Sequence, residues 1–201
     1  MKTLKMYGSS INERFLDEIV DILRDGGVII YPTDTLYAIG CNALSNQAIE
    51  RVCRLKGIDP RKETLSIVAS DLSMASEYGR IDNTAFKIMR ANLPGAFTFI
   101  LPAATTLPKV FKGRKTVGIR IPDNEIARAI AERLGNPILT TSVSGDVDEL
   151  TDPMIIADNY SRFDIDLIVD GGECGAVGST VVDLTDSHAP EIIREGVGEL
   201  V

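Results

Sequence analysis

The segment Tyr31-Pro-Thr-Asp-Thr-Leu-Tyr37 contains the densest group of side chains that could do chemistry. It places hydroxyl groups and a carboxylate directly after a short apolar run that reads as a strand. Open α/β sheets bind ligands beyond the carboxyl ends of their strands, which is where this segment is expected to lie. The same residue types also build ordinary turns, so a ligand site and a simple strand-to-helix turn are equally compatible with it.

Basic residues between the predicted elements form a second candidate feature. They are Lys56, Arg61, Lys62, Lys112, Arg114, Lys115, Arg120 and Arg194. In an acidic protein such cations could together hold a polyanion such as a triphosphate. Taken singly, most Lys and Arg side chains are solvated surface residues, so this interpretation depends on the fold bringing them together.

Two further segments carry groups suited to phosphate. The glycine-rich stretch 171–178 precedes Ser179 and Thr180, and glycine lets a backbone approach a phosphate with its N–H groups. The stretch matches neither GxxxxGK[ST] nor GxGxxG, so a long turn between strands explains it equally well. The segment 140–145 ends a predicted strand with hydroxyls that suit a carboxylate, a phosphate or a helix cap.

Helical and strand-like patterns alternate along the chain and must position these groups. A capping box at Ser10 to Glu13 opens a first helix, which ends at Gly26-Gly27. Further helices are predicted at 45–57, at 83–92, at 124–134 and from Asp152-Pro153 onward. Strands are predicted at 28–31, 65–69, 97–101, 116–121, 137–141, 165–169, 180–184 and 191–194. Because the last strands follow one another without helices, we expect a mixed sheet in a single α/β domain, 1–201.

Composition limits the classes of function. Of 201 residues, 44% are hydrophobic and 25% charged, and the net charge of −8 argues against a globally basic nucleic-acid or membrane-surface binder. Cys41, Cys53 and Cys174 lack disulfide or metal spacing, and the single histidine, His188, lies in a polar turn. Prolines interrupt the longest uncharged stretch, 91–108, and no basic-plus-apolar leader begins the chain, so a cytoplasmic protein without a membrane partner is expected.

Seven segments, taken in order, resemble the threonylcarbamoyl-adenylate synthase family, which has the YrdC-like fold. They are 26–37 (GGVIIYPTDTLY), 55–57 (LKG), 94–101, 116–122, 137–142, 178–183 and 193–196. The resemblance is nearest to the YciO branch of that family. It implies an α/β fold in which a twisted open mixed sheet and flanking helices surround a positively charged cavity.

The resemblance also implies a nucleotidyltransferase reaction in tRNA threonylcarbamoyladenosine modification. L-Threonine, bicarbonate and ATP would give threonylcarbamoyl-AMP and pyrophosphate, with ATP as a substrate accompanied by Mg²⁺. A carbamate formed on the threonine amine would attack the α-phosphorus, so positioning and cations matter more than a protein nucleophile.

The site residues that the resemblance implies fall into three groups. Lys56 and Ser142 would be catalytic; Lys56, Arg61, Ser144 and Arg194 would bind the phosphates; Thr33, Thr35, Tyr37, Arg120 and Ser179 would bind the substrate, with Arg120 on the threonine carboxylate. Three positions depart from the family pattern: Ile58 replaces an arginine, Ser144 an asparagine, and Val68 lies near the place of a histidine. Arg61 or Lys62 would then supply the missing cation, and a slower reaction is expected.

Two alternatives accompany this hypothesis. The cavity could bind double-stranded RNA, tRNA or a nucleotide without turnover, or it could be a relict that binds nothing strongly. The net charge of −8 weighs against RNA, because phosphate contacts dominate RNA affinity and need basic surface.

Overall fold

The computed structural model describes residues 1–59, 65–104, 106–107, 114–146 and 150–201. The helices within these ranges are α1 (Glu13–Arg24), α2 (Asn46–Lys56), α3 (Leu72–Tyr78), α4 (Asn83–Asn92), α5 (Glu125–Leu134) and α6 (Pro153–Asn159). The strands are β1 (Lys2–Lys5), β2 (Val28–Tyr31), β3 (Ala38–Asn42), β4 (Ser66–Val68), β5 (Phe97–Pro102), β6 (Thr116–Arg120), β7 (Ile138–Ser142), β8 (Leu167–Asp170), β9 (Thr180–Asp183) and β10 (Glu191–Arg194).

All ten strands belong to one open sheet with the order β1-β8-β2-β3-β7-β4-β6-β5-β9-β10. The pairs β1–β8, β8–β2, β4–β6 and β5–β9 are parallel, and the remaining neighbours are antiparallel. The predicted mixed α/β sheet is therefore confirmed. No described helix is long and apolar enough to cross a lipid bilayer.

Helices pack on both faces of the sheet and create two hydrophobic cores. α1 and α5 pack on one face, and α2, α3, α4 and α6 pack on the other. In β2, Val28 and Ile30 point to the second face while Ile29 and Tyr31 point to the first, and all four are fully buried. Burial on both faces explains why this strand reads as a continuous apolar run.

The strands β5, β6 and β9 contribute to a hydrophobic core on one face only. In β5, Phe97 and Phe99 pack in the core formed by α2, α3, α4 and α6, whereas Thr98 points to the opposite face. In β6, Val117 and Ile119 are core residues and Arg120 points to the opposite face. The core formed by α1 and α5 contains no residue of β5, β6 or β9. The face of these strands that carries Thr98 and Arg120 is therefore left open.

Sequence patterns missed three short elements and placed one cap two residues too early. β1, β3 and α3 were not predicted; β3 is five residues long and contains Gly40, and α3 is seven residues long, so neither carries a clear period. The expected N-cap of α1, Ser10, is wrong: the side chain of Asn12 accepts from the backbone N–H groups of Arg14 and Phe15 at 3.1 and 3.2 Å. The predicted start of α6 at Asp152-Pro153 is confirmed.

The cap of α1 gives a testable difference between two nearby polar residues. Asn12→Ala should lower the free energy of unfolding by about 1 kcal/mol, because two backbone N–H groups lose their acceptor. Ser10→Ala is the matched control and should change stability by less than about half of that. Urea unfolding of both variants measures the difference, and an equal loss for Ser10→Ala would contradict the assignment.

Candidate functional site

A cavity of about 390 Å³ lies over the open polar face of the sheet. Its lining combines hydroxyl groups, a few aliphatic side chains and two guanidinium groups. The lining residues are Ser66, Thr98, Ile100, Arg120, Thr140, Thr141, Ser142, Ser179, Val181, Ile193 and Arg194. Since none of them is acidic, the cavity is suited to anionic ligands.

Arg120, the last residue of β6, is the most constrained cation of the site. Its guanidinium is about 7% exposed, pairs with Asp34 at 2.8 Å and donates to the Thr35 hydroxyl at 3.0 Å, both through Nη2. Asp34 also accepts the backbone N–H of Asp123 at 2.9 Å, which fixes the carboxylate from a second direction. Burial lowers the pKa of Arg120, while Asp34 counteracts this effect. Its Nε is buried and has no hydrogen-bond partner in the described structure.

Arg194 reaches the same cavity from the edge strand β10. Ile192 pairs with Val182, but the next pair is Arg194 with Val181, so Ile193 forms a bulge. Val181 faces the cavity, and the bulge therefore turns Arg194 toward it. The Arg194 charge contributes to the lowered pKa of Arg120, so the two cations act on the same region.

Ser179 connects Arg194 to the floor of the cavity. Nη2 of Arg194 donates to the Ser179 carbonyl at 2.8 Å, and the Ser179 hydroxyl lies 2.8 Å from that of Thr98. Beside them, a Cβ added to Gly118 would come within 2.5 Å of the Ser66 hydroxyl, so the absence of a side chain keeps the floor open. Thr98, Ser66 and Gly118 were not predicted as site residues, although the alternation of apolar and polar residues in β5 indicates that Thr98 faces away from the core.

Lys56 lies beside this cavity and lines a second pocket. Its ammonium donates to the Ser142 carbonyl at 3.0 Å and to the Ser144 hydroxyl. The second pocket, of about 380 Å³, is formed by Leu55, Lys56, Ser144, Asn159, Tyr160 and Phe163. Ser142, whose carbonyl accepts from Lys56, lines the main cavity but not the second pocket. Partial burial lowers the pKa of Lys56.

Lys56 and Arg194 mark opposite ends of the site. Ser142 belongs to β7 and Arg194 to β10, and β4, β6, β5 and β9 lie between them. Five spacings of about 4.8 Å correspond to roughly 24 Å along a flat sheet, which twisting shortens. A ligand that contacts both ends must therefore be extended.

Thr33, Thr35 and Tyr37 are buried and stand behind the cavity lining rather than in it. The Tyr37 hydroxyl donates to the Gly172 carbonyl at 2.7 Å and accepts the Gly171 N–H at 3.1 Å. Burial raises the pKa of Tyr37. The segment 31–37 thus forms a rigid wall that carries Asp34 and Thr35 to Arg120.

The glycine-rich segment packs on that wall instead of facing the cavity. A Cβ added to Gly175 would lie 2.8 Å from the Thr35 carbonyl oxygen, so only glycine permits this approach. The Cys174 thiol donates to the Thr33 carbonyl at 3.4 Å, and burial raises the pKa of Cys174 to about 11. The close approach of two backbone segments therefore explains Gly175, whereas Gly172 has a positive φ of 88° and nothing within 4 Å of an added Cβ.

The remaining sequence candidates have other surroundings. Arg61, Lys62 and Lys112 lie outside the described residues. Ile58 packs at the margin of one core and Val68 is fully buried in the other, so neither brings a polar group to the cavity. His188 is exposed, and the described residues contain no group of three or more His, Cys, Asp or Glu that could hold a metal ion.

Comparison with known proteins identifies the relatives of this chain. The family model Sua5_yciO_yrdC, whose description reads "Telomere recombination", matches residues 21–196. The Escherichia coli protein named "Uncharacterized protein YciO" is 42% identical over 192 residues, which is 94% of this chain and 92% of that protein. The crystal structure of E. coli YciO, 40% identical, superimposes with a TM-score of 0.90 and covers 99% of this chain and 98% of the other.

Two relatives from Pyrococcus abyssi carry more specific names. A protein named threonylcarbamoyl-AMP synthase is 32% identical over 178 residues, 87% of this chain and 52% of that protein. The structure of P. abyssi Sua5 complexed with L-threonine, 30% identical, has a TM-score of 0.86 and covers 98% of this chain and 58% of the other. The match at residues 21–196, with these relatives, establishes that the chain belongs to the Sua5/YciO/YrdC family.

Proposed function

We propose that the cavity makes threonylcarbamoyl-AMP from L-threonine, bicarbonate and ATP, with release of pyrophosphate. The observation that carries the proposal is the meeting of Arg120, which retains an unpartnered buried donor, and Arg194 in one cavity without a lining carboxylate. Two relatives support it: one is named for this reaction, and one is complexed with L-threonine.

In this proposal Arg120 binds the carboxylate of threonine. Asp34 and Thr35 hold one end of the guanidinium, so its orientation is fixed before the ligand arrives. A buried, permanently charged donor makes stronger hydrogen bonds than an exposed one, and a preset orientation lowers the entropy lost on binding. Arg120 thus supplies selectivity for a small carboxylate.

ATP lies in an extended form across the hydroxyl-rich floor, and Lys56 and Arg194 contact it from opposite ends of the site. Because Asp34 offsets the charge of Arg120, Arg194 and Lys56 supply positive charge that balances the phosphates. Two positive charges come closer to balancing the negative charge of a magnesium-bound triphosphate than that of a free triphosphate. The lining offers no carboxylate to the metal, so Mg²⁺ enters with ATP, held by phosphate oxygens and water.

The chemistry then needs positioning more than a protein nucleophile. The threonine amine adds to bicarbonate with loss of water and gives a carbamate, whose oxygen attacks the α-phosphorus of ATP as pyrophosphate leaves. Arg120 fixes the amino acid, while Lys56 and Arg194 stabilise charge on the phosphates. Contributions of this kind are each worth about 10²-fold or more in rate.

Pyrophosphate release tests the reaction directly. The purified protein with magnesium and ATP should release pyrophosphate only when threonine and bicarbonate are both present. Equal release without threonine would contradict the proposal and favour ATP hydrolysis or another acceptor. ATP or RNA binding without any release would favour a binding protein, and calorimetry on the same sample reports it.

The assignment of Arg120 predicts a selective effect on threonine. Arg120→Lys keeps a cation beside Asp34 but loses the fork of donors, so the KM for threonine should rise about tenfold or more while ATP affinity changes little. Arg90→Lys on the exposed side of α4 is the matched control and should leave both values unchanged. Thermal unfolding verifies that each variant is folded; an unchanged KM for threonine in folded Arg120→Lys would refute the role.

The assignment of Lys56 predicts a dependence on pH. Lys56→Ala should reduce pyrophosphate release at least about tenfold. Lys87→Ala, at an exposed position of α4, is the matched control and should not reduce it. Because the pKa of Lys56 is lowered by burial, its charge is lost at a lower pH than that of an ordinary lysine. As the pH rises, ATP affinity should therefore fall at a lower pH than the loss of charge on an ordinary lysine would cause. Lys56→Arg should abolish this fall. A pH profile shared by wild type and Lys56→Arg would contradict the assignment.

A further inference from the structure

The ammonium of Lys56 is held by a turn that follows β7. Two acceptors hold it, the Ser142 carbonyl and the Ser144 hydroxyl, and both belong to this turn. Neither acceptor is a carboxylate, so the lysine keeps its charge available for a ligand. The position of Lys56 is consequently only as well defined as the backbone at 142–144.

Two contacts fix that backbone, one on each side of the turn. The N–H of Val143 donates to the Tyr37 carbonyl at 3.0 Å, which extends the ladder between β7 and β3. Beyond this point the N–H of Ser144 donates to the Tyr160 hydroxyl at 2.9 Å. The sheet ladder ends at Val143, and Tyr160 takes over the support of Ser144.

Tyr160 is itself well anchored. It caps the C-terminus of α6, is about 7% exposed, and packs its ring 5.2 Å from that of Phe163. Its hydroxyl also lies 3.5 Å from the Ser144 carbonyl, so both backbone polar groups of Ser144 face the same oxygen. The Tyr160 side chain at the end of α6 thus fixes the position of the Ser144 backbone in this turn.

We propose that Tyr160 is a positioning residue for the phosphate-binding lysine: its hydroxyl fixes Ser144, and Ser144 with Ser142 fixes the ammonium of Lys56 at the border of the cavity. This inference rests on the proposed function only in taking Lys56 as a ligand of the phosphates. Its geometric part, that Tyr160 controls Lys56, stands separately.

Ser144 stands where the family pattern has an asparagine, and this difference bears on how Lys56 is held. A serine side chain is shorter than asparagine and here accepts from Lys56 instead of donating to a ligand. Ile58, at the position of the family arginine, packs against the core and adds no charge. The placement of Lys56, which donates to Ser144, therefore becomes more important.

Tyr160→Phe tests the inference because it removes one oxygen and keeps the ring. ATP affinity, measured by calorimetry with magnesium, should fall about three- to tenfold, the range expected for one lost hydrogen bond. The KM for ATP should rise while the KM for threonine stays unchanged. Tyr78→Phe, at a buried tyrosine of α3 outside the cavity lining, is the matched control and should change neither.

Two further measurements separate positioning from a general structural effect. In a Lys56→Ala background, Tyr160→Phe should have no additional effect on ATP affinity, because Tyr160 acts through the lysine. NMR of protein with ¹³C-labelled lysine, assigned with Lys56→Arg, should show the Lys56 signal moving toward that of exposed lysines in Tyr160→Phe only.

The outcomes distinguish this inference from the proposed function. An unchanged Lys56 signal in folded Tyr160→Phe overturns the inference, and so does an equal loss of ATP affinity in the Lys56→Ala background. If wild-type protein fails to bind ATP, the proposed function falls, and the NMR signal alone decides whether Tyr160 positions Lys56.

Discussion

The buried ion pair between Arg120 and Asp34 is the interaction on which the architecture of the site depends. It joins the end of β6 to the segment after β2, and Asp34 reaches further to the backbone of Asp123 just before α5. Removing either partner would leave a buried charge without its counter-ion, a loss of about 3–5 kcal/mol. The pair is therefore a structural join, and in the proposed function the same arginine also binds the ligand, so the two roles cannot be varied independently.

The second constraint is the incomplete cover of the sheet. α1 and α5 protect one part of their face, and there the strands are apolar on both sides. Over β6, β5 and β9 the same face lines the cavity, and the core formed by α1 and α5 contains no residue of these strands. The core formed by α1 and α5 thus covers one part of this face, and the cavity lies over another part.

Local patterns predicted most of this fold and only part of the site. Long amphipathic helices such as α1 and α5 and apolar strands such as β2 were visible because burial imposes a period. Thr33, Thr35 and Tyr37 looked like ligand groups, yet they hydrogen-bond within the wall, since turn-building and ligand-binding residues share the same chemistry. The contribution of Tyr160 depends on a contact across 16 residues, which no local spacing reveals.

Arg194 shows how little backbone change is needed to alter the charge of such a site. The extra residue in β10 sits on a free edge, where one inserted position disturbs a single neighbouring strand and no core packing. Insertion or deletion at that edge rotates the arginine from one side of the sheet to the other. Divergence among proteins of this shape can thus proceed by changes in strand length at the margin, with the interior conserved and the ligand preference rewritten.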